Sequence, residues 1–342
     1  MDVVKQLFKP VLYGFLSLYA LIRLKIRSKP ALIILTYHRI IPEQSRLRQY
    51  EQPGMIASPD TLALHLRLFR RLGAVFIHVD DWIAQRDRGA PLPKLAIAVT
   101  FDDGWRDNHT YAFPVLRASN VPATIFLVSR LLNTKRVFWP EQIIYLLAQA
   151  PSDVPEQVID WLRPFCESLP LGIRPLERHE ADTVVTRMKS LDDTEILSRL
   201  EEFYEVFPTL NSGHEDRLIL NTDELLEMQK SGLVRYGTHT CHHYRLNKLA
   251  DQNLLKNEIV QCIDDLKALG LGPATLFCYP NGDITSSGEQ IVAQTYQGAC
   301  TTRTGINNKS ASAYGLQRFN FHDGNGSNAL LCLGTIGRSL IK

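Results

Sequence analysis

The residues best suited to chemistry are two adjacent carboxylates and a histidine pair far downstream. Asp102 and Asp103 stand in Thr100-Phe101-Asp102-Asp103-Gly104, and His239 and His243 in Gly237-Thr238-His239-Thr240-Cys241-His242-His243. Together they read as a divalent-metal hydrolase site, because imidazoles at His-x-x-x-His spacing converge on one ion and carboxylates complete the donor set. Each piece has an ordinary counterpart. Asp-Asp-Gly is a common turn sequence, since Asp caps backbone amides and Gly tolerates positive φ. It is the co-occurrence that argues for a site.

Strand-like runs deliver these residues. Leu95-Ala96-Ile97-Ala98-Val99 is a short apolar run of the kind buried on both faces, and it precedes Asp102 and Asp103. Leu233-Val234-Arg235-Tyr236 precedes His239, and the helix ahead of it carries Asn221 and Glu224 as a capping box and Gly232 as its stop. Residues 31–37 deliver His38, and residues 274–278 deliver Tyr279-Pro280-Asn281-Gly282. In a parallel α/β barrel, C-terminal strand ends form the active face.

The motifs Thr100-Phe101-Asp102-Asp103-Gly104, His239-Thr240-x-x-His243 and Phe277-Cys278-Tyr279-Pro280-Asn281-Gly282, with Val121-Pro122-Ala123-Thr124-Ile125-Phe126 after the first, resemble those of the polysaccharide deacetylases, carbohydrate esterase family four. The resemblance spans about residues 31 to 320, interrupted by a helical insertion. It implies an α/β fold, a distorted (β/α) barrel of about seven strands, and removal of N-acetyl groups from amino sugars. By position, Asp103, His239 and His243 resemble the metal-binding triad and Asp102 the general base. Two imidazoles and one carboxylate leave an open position on a zinc-like ion, where water is acidified toward pKa ~7.

The departing amine needs a proton. His38 is the chosen acid, because Leu35-Thr36-Tyr37-His38-Arg39-Ile40 is similar to the first strand of the exopolysaccharide-deacetylase branch, where an early histidine has that role. His322 is the competing candidate. The third motif lacks the arginine of the commoner family form, and Arg318 is expected to supply that charge to Asp102. The resemblance makes Tyr279 and Asn281 substrate-side residues, the backbone N–H of Asn281 facing the developing oxyanion. Cys241 and His242 are expected beside the metal rather than on it.

With 342 residues, 45% of them hydrophobic, the chain suffices for one barrel domain. The 38 basic and 36 acidic residues are nearly balanced, which argues against a nucleic-acid enzyme. Six cysteines without paired spacing read as reduced and buried, favouring a cytoplasmic location. Residues 1–28 form an apolar and basic helix. Its run from Pro10 to Ile22, flanked by Lys5, Lys9, Arg23, Lys25 and Arg27, is short for a span of about 20 residues, so it reads either as an interfacial helix peripheral to the inner face of a membrane or as a helix covering the barrel bottom. Residues 29–342 form the catalytic domain, with a helical insertion over about 140–221. Within it, Trp139 and Trp161 are expected to pack rather than stack on sugars.

The expected protein is a metal-dependent deacetylase, zinc being the default ion, acting on an N-acetylated glycan or lipid-linked saccharide. The competing functions are a silent carbohydrate-binding protein and an amidohydrolase of a small N-acylated molecule.

Overall fold

Residues 31–37 are apolar or aromatic but for Thr36 and are buried throughout, which places them in a sheet covered on both sides. The computed structural model describes residues 2–52, 54–208 and 217–341, without the side chains of residues 2–10. Lys5 and Lys9, and residues 209–216 of the expected insertion, therefore lie outside the described side chains and residues.

Strands β1 (Ala31–Tyr37), β2 (Ala96–Phe101), β3 (Ala123–Leu127), β4 (Val234–Thr238), β5 (Leu276–Cys278) and β6 (Gly298–Cys300) lie side by side in that order, all parallel. The last strand, β7 (Phe319–Asn320), pairs parallel with β1, Leu35 opposite Phe319. Just before it, Leu316 bridges Cys300 of β6. The sheet thus curls back on itself into the distorted seven-strand barrel that the sequence led us to expect.

Side-chain alternation sorts the strand residues. Ile33, Leu35, Ile97 and Val99 face the helices, whereas Leu32, Ile34, Ala96 and Ala98 join Phe126, Leu276 and Cys278 in a separate inner cluster. The interior is tight. A Cβ on Gly237 of β4 would lie 2.6 Å from the Phe126 ring, so only glycine fits there. One step up, Thr36 and Thr100 share a hydrogen bond of 2.9 Å, and the same parity carries the chain to His38 and Asp102 at the mouth.

Helix α1 (Asp2–Lys25) buries Leu16, Ala20 and Leu24, and Gly334 and Gly337 of the C-terminal helix (Ala329–Ile341) let it approach closely. Its opposite face leaves Val11, Leu12, Phe15, Leu18 and Ile22 exposed. No helix among the described residues is long and apolar enough to cross a membrane.

Four helices follow β3: α2 (Trp139–Leu147), α3 (Glu156–Leu162), α4 (Arg178–Met188) and α5 (Asp193–Val206). They enclose their own apolar cluster, with Ile143, Val158, Val184, Ile196 and Leu200 at its centre. Trp139 donates to Asp193 at 3.0 Å and Trp161 packs on Phe203, so both indoles serve packing. Helix α6 (Thr222–Lys230) then starts on the expected reciprocal cap of Asn221 and Glu224, and Gly232 after it adopts φ 73°. Helix α7 (Gln252–Ala268) follows β4. All six cysteines are free and buried.

Candidate active site

The mouth of the barrel gathers residues from five strand ends. Asp102 continues β2, and its amide donates to the Tyr37 carbonyl as though the strand were one residue longer. Asp103 then turns to φ 76° and Gly104 to φ 80°. Left-handed backbone is uncommon for a residue with a side chain and is found at sites where neighbours over-determine it. The turn sends two consecutive carboxylates in different directions. Thr240 and His243 also have positive φ, at 64° and 65°, and the Thr240 hydroxyl accepts the His243 amide. This loop returns His243 to the side of His239, their rings 4.8 Å apart.

Asp103 Oδ1 lies 3.5 Å from Nε2 of His239 and 3.5 Å from Nε2 of His243. Its other oxygen accepts the Trp105 indole N–H at 2.9 Å. His239 donates from Nδ1 to the Cys278 carbonyl at 2.7 Å, which leaves the Nε2 lone pair toward Asp103. Burial lowers the His239 pKa to about 3, with His243 adding to the effect, and burial lowers His243 to about 4. Both imidazoles are therefore neutral at pH 7. Burial raises Asp103 to about 6, a shift that a cation beside it would reverse. Three convergent atoms of two unprotonated imidazoles and one carboxylate fit a divalent cation of zinc type.

A second group, Asp102, His239 and Cys278, is also close enough together to hold an ion. Its donors are occupied. Both oxygens of Asp102 accept Arg318 hydrogen bonds of 2.7 Å, and burial holds the Cys278 thiol well above its usual range, so it stays protonated and donates to Asp102. Burial pushes Asp102 up, but the Arg318 charge and hydrogen bonds overrule this and hold it well below the carboxylate range. Arg318 is itself fixed by the Thr301 carbonyl at 2.9 Å. The charge absent from the third motif thus reaches Asp102 from just before β7.

His38 places Nε2 3.8 Å from Asp102 Oδ2, while its Nδ1 is buried without a partner among the described residues. His322 occupies a different setting, its Nδ1 accepting the Gly324 amide as the cap of a short helix. Tyr279 is wholly buried against Phe277, its hydroxyl donating to the Tyr314 carbonyl. Asn281 is exposed at the tip of the following turn with φ 53°. His242 leaves the triad and pairs with Glu258 at 2.6 Å, a hydrogen bond that raises its pKa. Glu258 also accepts the amides of Cys241 and His242 and so pins the loop.

Several supporting residues carry no motif. Arg39 is buried between Glu51 and Asp107 and lies 4.1 Å over the Trp105 ring, so it stacks behind the indole that holds Asp103. Phe138 meets the His243 ring edge-on at 5.0 Å. Only the distance of Trp105 from Asp103 in sequence was a usable signal. Arg39 adjoins His38 within the first strand segment, whereas Phe138 comes from a part of the chain remote from both metal motifs.

The polysaccharide deacetylase family model matches residues 89–162 and 198–297, just over half of the chain, and includes both carboxylates and both histidines. The chain belongs to the polysaccharide deacetylase family. It is accordingly a hydrolase of carbon–nitrogen bonds. Residues 163–197 are outside the match, and they contain α4.

Solved structures agree on the fold. The Streptococcus pyogenes deacetylase PplD in complex with acetate aligns at TM-score 0.59 and 16% identity over 90% of this chain and 99% of that one. IcaB from Ammonifex degensii aligns at 0.56 and 19% over 90% and 97%. A de-N-acetylase from Aggregatibacter actinomycetemcomitans aligns at 0.53 and 16% over 85% and 95%. No curated protein matches the chain in sequence.

Proposed function

We propose that this polysaccharide deacetylase removes N-acetyl groups from amino sugars of a polysaccharide or lipid-linked glycan, with Asp103, His239 and His243 holding a zinc ion. The observation that carries the reading is the convergence of Asp103 Oδ1 with the two imidazole Nε2 atoms at 3.5 Å, beside an ionised Asp102. When bound, the cation would supply an acidified water and polarise the acetamide carbonyl.

Asp102 takes the proton of the attacking water. Its pairing with Arg318 weakens it as a base, so it suits only a water already acidified, and in return it fixes the carboxylate orientation. His38, with Nε2 at the same mouth, delivers a proton to the departing amine. The Asn281 amide serves the developing oxyanion on the substrate side of the mouth, and the wholly buried Tyr279 supports that turn from below instead of meeting substrate.

The test is elemental mass spectrometry of zinc-refilled, desalted protein together with acetate release from N-acetylated glycans. About one metal per chain and acetate release support the reading. Metal-free wild-type protein would make a carbohydrate-binding role the leading one, and turnover of short acylated amines alone would favour the small-molecule amidohydrolase.

We also place the enzyme in the cytoplasm, peripheral to the inner membrane face, with the exposed side of α1 in the interface while its buried side packs against the C-terminal helix of the catalytic domain, residues 29–342. The exposed Val11, Phe15, Leu18 and Ile22 lie on one side of this helix, and Arg23, Lys25 and Arg27 follow them, a pairing suited to anionic lipid. Flotation with anionic vesicles should capture the full chain and not a chain starting at Ser28. Equal partitioning would remove the membrane from the account and leave α1 as a packing helix.

A further inference from the structure

Behind the metal triad lies a buried cation that the proton-moving machinery does not use. Arg39 is 1% exposed, its Nε donates to Asp107 at 2.7 Å, its Nη1 pairs with Glu51, and its guanidinium carbon stands 4.1 Å over the Trp105 ring. Both carboxylates are themselves buried, and one oxygen of Glu51 has no partner among the described residues. Burying three charges costs desolvation that their attraction only partly offsets, and apolar side chains of similar size are often as stable in their place. Stability therefore gives this cluster no reason to be ionic. Its position supplies one.

Trp105 is wholly enclosed, and its indole N–H donates to Asp103 Oδ2 at 2.9 Å. That bond occupies one oxygen of the carboxylate and leaves the other, Oδ1, to the two imidazoles. The same indole lies 5.1 Å from the Phe138 ring, which meets His243 edge-on at 5.0 Å. Trp105 thus supports two of the three donors, one by a hydrogen bond and one through a single ring. A flat guanidinium stacks on an indole face, attracts the ring electrons and so strengthens the N–H as a donor. Asp107 and Glu51 keep Arg39 in that place. The second oxygen of Asp107 accepts the Ile40 amide at 2.7 Å, and the Glu51 carbonyl accepts Arg178 of α4. Gln52 beside it donates to Asp182 of α4 at 2.7 Å. Since α4 falls outside the family match, this brace comes from beyond the matched segments.

We propose that Arg39 is a positioning residue for the metal site, acting on Asp103 through Trp105. The inference rests on the metal reading above and adds that affinity for the ion is set partly by a charge touching neither ion nor substrate. Asp107 and Glu51 hold the guanidinium against the ring, and the ring holds the carboxylate.

The experiment titrates the full chain with cobalt(II) against a chromophoric chelator and records the visible absorption of the bound ion, which reports donor geometry. Trp105→Phe keeps a ring and removes the N–H, and should raise the cobalt Kd about tenfold to hundredfold, the usual cost of losing a hydrogen bond to a metal ligand. Arg39→Lys keeps a charge for Glu51 and Asp107 but loses the flat face. It should raise Kd about threefold to tenfold and shift the cobalt spectrum in the same direction as Trp105→Phe. Beside Trp105→Phe, the same change should alter Kd less than about twofold, because the path from arginine to ligand is already cut. Glu51→Gln loosens the arginine without replacing it, and should raise Kd about twofold to threefold in the otherwise native chain and not beside Trp105→Phe. Near-UV circular dichroism identifies the folded variants, and Glu51→Gln decides alone where Arg39→Lys does not fold. Effects that add fully to those of Trp105→Phe would make the arginine merely structural and overturn the inference. An unchanged Kd and spectrum in the folded single variants at Arg39 and Glu51 would overturn it as well. A wild-type chain that binds no cobalt would instead defeat the metal reading, and the inference with it.

Discussion

The barrel mouth and the helical insertion both bury carboxylates, and they treat them differently. At the mouth, Asp102 gives both oxygens to Arg318 and Asp103 binds Trp105 and faces two imidazoles. In the insertion, Asp193 is satisfied by Trp139 and Arg245, yet one oxygen of the buried Glu141 has no partner among the described residues. The mouth pairs both of its carboxylates within the fold, although the neighbouring His38 Nδ1 has no partner among the described residues, whereas the insertion leaves one buried carboxyl oxygen unpaired among those residues.

The largest effect expected from breaking the mouth is loss of the ion. His239→Ala should reduce metal content from about one per chain to near zero by elemental mass spectrometry, and abolish turnover, because a buried imidazole with its Nδ1 anchored to Cys278 has no substitute nearby. Retained metal would transfer the site to another donor set. Asp102→Asn separates the two adjacent aspartates. It should keep the metal and lower turnover by about 10² to 10⁴, the range of general acid–base catalysis. A rate near that of wild type would remove Asp102 from proton transfer.

The insertion should respond in stability rather than chemistry. Arg245→Ala leaves Asp193 buried without its cation and frees the Lys189 and Leu191 carbonyls, so denaturant unfolding should show a loss of about 3–5 kcal/mol. Because Arg245 follows His243 by two residues, metal affinity should fall modestly as well. Unchanged stability would mean the insertion packs independently of that pair.

The smallest effect concerns pH in the metal-free protein. His239 and His243 take up protons near 6.5 when unfolded but only near 3 and 4 when folded, so their contribution is complete above pH 6.5 and is lost as pH falls toward 4. Asp103 opposes this, since its folded pKa of about 6 lies above the unfolded 3.8 and favours the fold as pH drops through that window. Two histidines against one aspartate leave a net loss of about 3 kcal/mol between pH 7 and 4.5. Urea titrations should show a smaller loss in a His239→Gln, His243→Gln double variant, and a larger one would reverse the assigned signs.

Much of the fold was legible because its signals are local. The apolar runs before His38, Asp102 and His239 became β1, β2 and β4, with ends shifted by one or two residues, and the Asn221–Glu224 cap formed as its spacing required. The site was legible only at its motifs. Arg318 lies 216 residues from Asp102, and nothing in its own neighbourhood announces the carboxylate it holds. Arg39 behind Trp105, Glu258 under the histidine loop and the orphaned Glu141 belong to the same class.

By itself, therefore, the sequence determined the strand periodicity, the adjacent carboxylates, the histidine spacing and the family they resemble, since each is set by residues close together in the chain. Tertiary structure alone decided which of two donor groups has its atoms free, which arginine orients Asp102, and which buried glutamate goes unpaired. Those outcomes depend on desolvation and on partners supplied across the closed barrel and its insertion, and no local stretch of sequence contains either.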